Sequence, residues 1–480
     1  MVFYDRLYGE MRFPLIIQEL FDCPGLLRLR DVRMANNQFV AFPAFANSSR
    51  YEHSLGVCYL ASISAKSLGL SEKDSIELMM ACLYHDVGTP PFAHAMEEVL
   101  QAKFGFNHEE NLMRILEGRN DSSMGNLEQI YLGGSVKLRS VCQSRRGRSI
   151  GLDVYRVAKM ITGNHADPLA SLLNGGGMDL DNIDNVIRAS SAMGLFQENQ
   201  PCLAKRLANS FMFDSSGQLC HNADYLEDIR LWQRLRDRQY TAIYESIDDF
   251  AYQTMIKKAL SLLLDDEDSQ MHLSKDAWKL TDATIIYEYL LKGRYSSEIM
   301  HRVLLCKPFQ CLGVLYITGK NVSNYININL SEIEKCASAC YESVVGITKE
   351  GNSYKRQTQK TRLPSIVANY YPDKRKRHIR TKVHYMGILD QIDTSVESEG
   401  ALLGLFSTRY NSNYSTIYSD EINFQKVGRK VVSFRSKDLQ KMIESLKDSV
   451  LKEFEVSIYE KRSKRLEHFK GADEDQLGFF

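Results

Sequence analysis

ACLYHDVGTPPFAHAME, residues 81–97, decides how this chain is read. The apolar run IELMMACLY repeats at helical spacing up to His85 and Asp86. It must stop at the Gly88, Pro90 and Pro91 cluster, because proline lacks the amide that a helix interior needs. Upstream, Ser71 and Asp74 form a capping-box-like start, so the spacing predicts a helix from Ser71 with His85 and Asp86 in its last turn. Beyond the prolines, HAMEEVLQAKF returns to helical periodicity, which predicts another helix from about Phe92 with His94 in its first turn.

Two other stretches offer matching side chains. SLGVCYLASISAKSL predicts a helix over about residues 54–68, ended by Gly69 in a left-handed cap and begun at His53. In NGGGMDLDNIDNVIR, Asp179, Asp181 and Asp184 follow a glycine turn at the N-terminal end of a further helix, where negative charge is tolerated. His53, His85, Asp86 and Asp181 can then meet at one point inside a helical bundle. Two imidazoles and two carboxylates hold one divalent cation and leave room for water and a phosphate, which predicts hydrolytic phosphate chemistry. Any one of these residues alone reads more readily as a cap or a satisfied core polar group than as a ligand. The set carries the inference.

Composition narrows the class. Sixty lysines and arginines balance sixty aspartates and glutamates in 480 residues. No whole-protein field recruits nucleic acid or an anionic membrane. The N-terminus carries acids among its apolar residues and lacks a signal-like cleavage pattern, and no apolar run approaches the roughly 20 residues of a membrane span. Ten cysteines lie scattered, mostly among apolar neighbours, as reduced thiols do. A cytoplasmic protein with no membrane association is expected. Cys306, Cys311, Cys336 and Cys340 form two close pairs. The first is spaced too widely for a zinc knuckle, so four free thiols are expected rather than a structural zinc.

The fold expected is mainly α, a helical core with a smaller mixed α+β C-terminal region, divided as 1–260 for the metal site and 261–480 for a possible oligomerisation or regulatory role. LEDIRLWQRLRDRQYTAIYESIDDFAYQTMIKKALSLLL reads as one or two long helices. CLGVLYITGKNVSNYININL, near 310–330, reads as a short hairpin, and residues 345–380 as a polar, basic loop. The last 45 residues return to a helical pattern. No internal repeat is present.

With these segments in order, the chain resembles the HD-domain metal-dependent phosphohydrolases, and among them the deoxynucleoside triphosphate triphosphohydrolases. The resemblance runs through YDRLYGEMRF, RLRDVR, SRYEHSLGVCYLA, ACLYHDVGTPPFAHAME, FNHEE and GGMDLDNIDNVIR, roughly the first 250 residues. It implies that His53, His85, Asp86 and Asp181 are metal ligands, with Asp181 rather than Asp179 or Asp184 at the ligand position. It implies that His94 and His108 lie near the scissile phosphate, Glu109 beside His108, and that Arg50, Arg236, Tyr240 and Tyr244 contact substrate. His94 is the expected general acid for the departing 5′ oxygen, since imidazole exchanges protons near neutrality. The ion could be Mn²⁺, Mg²⁺, Fe²⁺ or Zn²⁺.

The resemblance further implies attack on the α-phosphate of a dNTP, release of deoxynucleoside and triphosphate, a homo-oligomer, regulation by a nucleotide effector, and a role in dNTP-pool control or defence against phage. Nucleic acid is not an expected partner; the basic arm at 354–380 is where contact would be sought. Thr89 stands where many relatives carry His or Asn. Asn182 and Asn185 replace Lys and Tyr, and Ala189 replaces an Asp expected at the sugar 3′-hydroxyl, which weakens selection of deoxyribose. Competing expectations are an HD phosphohydrolase acting on a ribonucleotide or cyclic nucleotide, and a non-enzymatic nucleotide sensor.

Overall fold

The computed structural model describes residues 2–35, 42–105, 112, 137–163, 167–175, 178–195, 201–215, 217–265, 273, 277–319, 329–345, 363–372, 381–385, 388–392, 400–408, 421–427 and 430–459. The chain packs as two compact units. The first comprises Met1–Pro308 with Lys374–Glu397, the second Phe309–Asp373 with Ser398–Phe480. Packing of the first unit thus continues well past residue 260, the division drawn from the sequence, because the segments after Leu263 still bury apolar side chains there, Trp278 and Ile285 among them.

The first unit opens with an antiparallel hairpin, β1 (Val2–Asp5) and β2 (Gly9–Arg12). Helices α1 (Arg50–Ser67), α2 (Glu72–Tyr84), α3 (His94–Phe104), α4 (Val154–Ile161), α5 (Leu180–Ala192), α6 (Pro201–Asn209), α7 (Leu226–Glu245), α8 (Ile247–Leu263) and α9 (Ser296–Leu304) follow. α1 is the axis. It packs against α2, α5 and α6, and its inward residues Val57, Cys58, Leu60 and Ala61 are fully buried in the main core. Ser49 and Glu52 form a true capping box at its start, the Ser49 hydroxyl accepting from the Glu52 amide at 3.3 Å. Gly69 adopts φ 63°, the left-handed geometry expected after its end. The long arginine-rich stretch forms two helices, α7 and α8, with α7 packed on α5 and α8 on α3 and α9. A four-stranded sheet of β3 (Phe211–Phe213), β4 (Leu219–Asn222), β7 (Thr381–Tyr385) and β8 (Ile388–Ile392) completes this unit.

The second unit is built on a sheet ordered β12 (Glu455–Ile458), β5 (Gln310–Thr318), β9 (Gly400–Ser407) and β6 (Ile366–Pro372), all neighbours antiparallel. Helices α10 (Leu330–Val345) and α11 (Ser436–Ser449) pack together, and their apolar faces share a core with the sheet. A separate hairpin pairs β10 (Glu421–Val427) with β11 (Lys430–Arg435). Three expectations change here. CLGVLYIT is one inner strand whose partners come from residues 400–407 and 455–458, and not one arm of a local hairpin. The stretch 345–380 contains β6, whose free edge is sealed by α10: the Ile366 amide donates to Ser338 and the Ala368 amide to Glu334. The terminal region carries β12 after its helix. The basic arm at 354–380 lies mostly outside the described residues.

The architecture is mainly helical, as the sequence implies. Among the described residues no helix is long and apolar enough to cross a membrane.

Candidate metal centre

Three helices deliver the site. His53 projects from the first turn of α1, His85 is the C-cap residue of α2 with Asp86 just beyond it, and Asp181 sits in the first turn of α5 behind the N-cap Asp179. His53 Nε2 lies 2.8 Å from Asp181 Oδ1 and 3.3 Å from His85 Nε2. His85 Nε2 lies 3.6 Å from Asp86 Oδ2 and 3.7 Å from Asp181 Oδ1; His53 Nε2 is 4.0 Å from Asp86 Oδ2. Ligands at about 2.1 Å from one ion stand about 3 Å apart at right angles and about 4 Å apart across it, so these separations fit a shared divalent cation. His53, His85 and Asp181 form the one such cluster found among the described residues.

The far side of each ring strengthens the fit. His85 Nδ1 donates to the Cys82 carbonyl at 2.7 Å, which leaves the Nε2 lone pair facing the cluster. His53 Nδ1 meets Asp184 Oδ1 at 2.7 Å, with the same result. Asp184 is fully buried, and its charge is met by Arg188, which donates from Nε at 2.8 Å and Nη2 at 3.0 Å, and by the Tyr8 hydroxyl at 2.6 Å. Arg188 also donates from Nη1 to Asp5 at 2.8 Å. A connected chain of charge-assisted bonds therefore runs from the N-terminal hairpin to the imidazole of His53. Gly56 makes room for it. A Cβ there would lie 2.1 Å from Asp184 Oδ2 and 2.5 Å from Arg188 Nη2.

The electrostatics call for positive charge at the cluster. Burial disfavours a charged His53, yet the hydrogen bonds of Asp181 and Asp184 outweigh it and raise its pKa to about 9. Burial likewise opposes the Asp181 carboxylate, but His53 and His85 hold it well below the usual range. Asp86 is buried too, and is held ionised by Arg50 and His85. A site that draws protons onto its imidazoles in this way suits a cation.

The structure places the other expected residues as follows. Arg50, expected at the substrate, donates from Nη1 to both oxygens of Asp86, at 2.7 and 2.8 Å, and so holds that carboxylate in place. Thr89 donates to Asp86 Oδ1 at 3.0 Å, which gives a role to the threonine found where relatives carry His or Asn. His94 is exposed (side chain 61%), with Nδ1 at 2.8 Å from Glu97 Oε2. Glu97 also adds to the negative charge that favours the Arg50 guanidinium, after the larger contribution of Asp86. Arg236 is buried on α7 and stacks over the Tyr240 ring at 4.7 Å. His108, Glu109 and the side chain of Tyr244 lie outside the described residues. Asn182 bonds back to Asp179 at 2.9 Å, and Ala189 is fully buried against Ala35, Phe45 and Ala46. Cys306, Cys311, Cys336 and Cys340 form no disulfide, and the candidate metal cluster found among the described residues does not include them.

The sequence reading set Asp184 aside as a ligand without giving it a role, and it did not single out Arg188, Tyr8 or Gly56. The available signal was spacing: Asp184 lies three residues after Asp181 and Arg188 four after that, so all three share a helix face, and Gly56 repeats the step after His53.

Comparison with known proteins agrees with this geometry. Residues 50–131 match the model of the HD domain family, so the chain carries an HD domain. It is similar to the deoxynucleoside triphosphate triphosphohydrolase SAMHD1 of Mus musculus, at 34% identity over 103 residues, covering 20% of this chain and 16% of that protein. The homologue in Dictyostelium discoideum matches at 32% over 122 residues, 23% of this chain and 24% of the relative. The chain thus spans about a quarter or less of these relatives' length. An uncharacterised protein of Methanocaldococcus jannaschii matches at 22% identity over 69% of this chain and 64% of its own length. Among solved structures, a hypothetical protein from Aquifex aeolicus has the same fold, with TM-score 0.57 and 19% identity, covering 85% of this chain and 96% of that one.

Proposed function

We propose that this protein is a metal-dependent triphosphohydrolase that cleaves dNTPs at the α-phosphate, releasing deoxynucleoside and inorganic triphosphate. An HD domain with similarity to named dNTP triphosphohydrolases supports hydrolase chemistry. The observation that carries the reading is the convergence of His53, His85, Asp86 and Asp181, with both Nε2 lone pairs turned inward by Cys82 and Asp184.

These four residues would hold a divalent ion, which when bound would lower the pKa of water towards about 7 and offset phosphate charge. The protein's own groups do the rest. Asp184 and the Cys82 carbonyl fix the two rings, and Arg50 and Thr89 fix the Asp86 carboxylate. Glu97 takes Nδ1 of His94, leaving Nε2 to hand a proton to the departing 5′ oxygen; because His94 is exposed, a substrate can reach it. Arg236 stacked on Tyr240 supplies a guanidinium and a ring for the triphosphate and sugar. His108, Glu109 and Tyr244 are assigned supporting roles around the phosphate and sugar on the resemblance alone. A homo-oligomer, a nucleotide effector and a place in dNTP-pool control or phage defence complete the reading.

One observation favours a broader substrate range. Ala189 lies in an apolar cluster, so no carboxylate at that position selects the sugar. A second reading is therefore an HD phosphohydrolase that also accepts ribonucleotides.

The test is incubation of the purified protein with Mg²⁺ or Mn²⁺ and each dNTP and NTP, singly and mixed, with the phosphate product identified by ³¹P NMR. Triphosphate from dNTPs supports the proposal. Orthophosphate, pyrophosphate or no turnover in any mixture contradicts it.

A further inference from the structure

The buried carboxylate of Asp282 stands far along the chain from the site residues, in the part assigned from sequence to the C-terminal region. It accepts the Phe92 amide at 2.9 Å and the Arg33 amide at 3.1 Å. Phe92 and Ala93 both have positive φ, 55° and 45°, a conformation that costs non-glycine residues of order 1 kcal/mol or more each and persists where its surroundings impose it. Directly after this strained turn, α3 begins with His94. The Arg33 segment meets the other side of the site: Met34 N donates to Ser48 O, and Arg50 N to Val32 O, at the start of the helix bearing His53. Arg28, fully buried, ties the same pieces together, donating to Leu280 O at 2.6 Å, Thr89 O at 2.7 Å and Val87 O at 3.1 Å. Thr281 caps the short helix that carries Asp282, and a π-helical segment, Ile285–Leu290, follows at once. Such segments are frequent at functional sites.

We propose that Asp282 is a positioning residue for catalysis: by holding the Phe92 and Arg33 amides it locks the Phe92–Ala93 turn and so sets where His94 stands relative to the metal ligands. This rests on the role given to His94 above. The hydrogen bonds described for Asp282 go to the two backbone amides, Phe92 and Arg33. Its action passes through the backbone, so it governs the proton-donating step and leaves ion binding intact. A misplacement of about an ångström costs on the order of a hundredfold in rate.

The test combines Asp282→Asn, Asp282→Ala, His94→Ala and the Asp282→Ala/His94→Ala double variant. Asp282→Ala should lower kcat tenfold or more with little change in KM or in bound Mn²⁺. The double variant should be no slower than His94→Ala alone, because both remove the same contribution. Amide hydrogen exchange at residues 87–96 should quicken in both Asp282 variants, with exchange in α1 unchanged. If Asp282→Ala does not fold, Asp282→Asn, which keeps the volume and presents one acceptor to two amides, carries the kinetic and exchange readouts. Multiplicative loss in the double variant, or unchanged exchange at Phe92, overturns the proposal. If the wild type hydrolyses no dNTP, the reading of its activity fails, and the exchange measurement still decides whether Asp282 holds the turn.

Discussion

At the scale of single residues, the difference between Asp181 and Asp184 shows how the site works. Both lie on one face of α5, yet Asp181 presents an oxygen to both histidines while Asp184 grips only the far nitrogen of His53 and is itself gripped by Arg188 and Tyr8. Asp184→Asn keeps the shape but removes the charge that fixes the His53 ring. Metal affinity should fall about 10- to 100-fold with the bound stoichiometry unchanged, read by titration with Mn²⁺. An unaltered dissociation constant would show that Asp184 does not orient the ligand. The residues that converge, His53, His85, Asp86 and Asp181, were legible as a set in the sequence because metal-binding side chains are few and their order is distinctive. Asp184 was not, since helical spacing places it beside Asp181 without saying which carboxylate faces the ion. Arg50 was expected at the substrate phosphate, and in the structure it is paired with a carboxylate of the chain itself. Its partner, Asp86, emerges only when α1 and the end of α2 are brought together.

At the scale of elements, the close approach of α1 and α5 brings two of the three ligand-bearing segments together, and Gly56 permits it. Adding one methyl group there drives a Cβ into Asp184 and Arg188, a fully buried ion pair with no space to shift. Gly56→Ala should cost about 3 kcal/mol and reduce bound metal together with stability, measured by denaturant unfolding and metal analysis. A stable variant with full metal content would mean that the helices are not packed as described. Helix positions were legible from periodicity and caps: Ser71, Gly69 and the proline cluster mark real boundaries, while α1 starts at Arg50 behind Ser49, three residues before the His53 start read from the sequence. Strand pairing was not. β5 pairs with segments about 90 and 140 residues later, and nothing in its local composition names such distant partners.

For the whole molecule, the first unit must stay folded around a site rich in buried charge, and one part of its pH response comes from a buried histidine on its small sheet. His221 on β4 is buried beside Ser210 Oγ at 2.6 Å, and burial lowers its pKa to about 4. The unfolded chain binds this proton near pH 6.5 and the folded protein only near pH 4. The stabilisation is therefore complete above pH 6.5 and is lost as pH falls between those values, by on the order of 3 kcal/mol at most. Between pH 7.5 and 5 the melting temperature of His221→Asn should drop less than that of the wild type; equal drops would refute the assignment. The division of the chain was less legible than its class, because the segment with Arg28's partner Leu280 and with Asp282 looks like ordinary helical sequence and declares its place only through long-range bonds. The central claim is that His53, His85, Asp86 and Asp181 hold one divalent ion. The most direct measurement is the Mn²⁺ bound per chain by wild type and by Asp181→Ala, with both shown to be folded. One equivalent for the wild type and none for the variant at the same free Mn²⁺ is the expected result. One equivalent for both would contradict it.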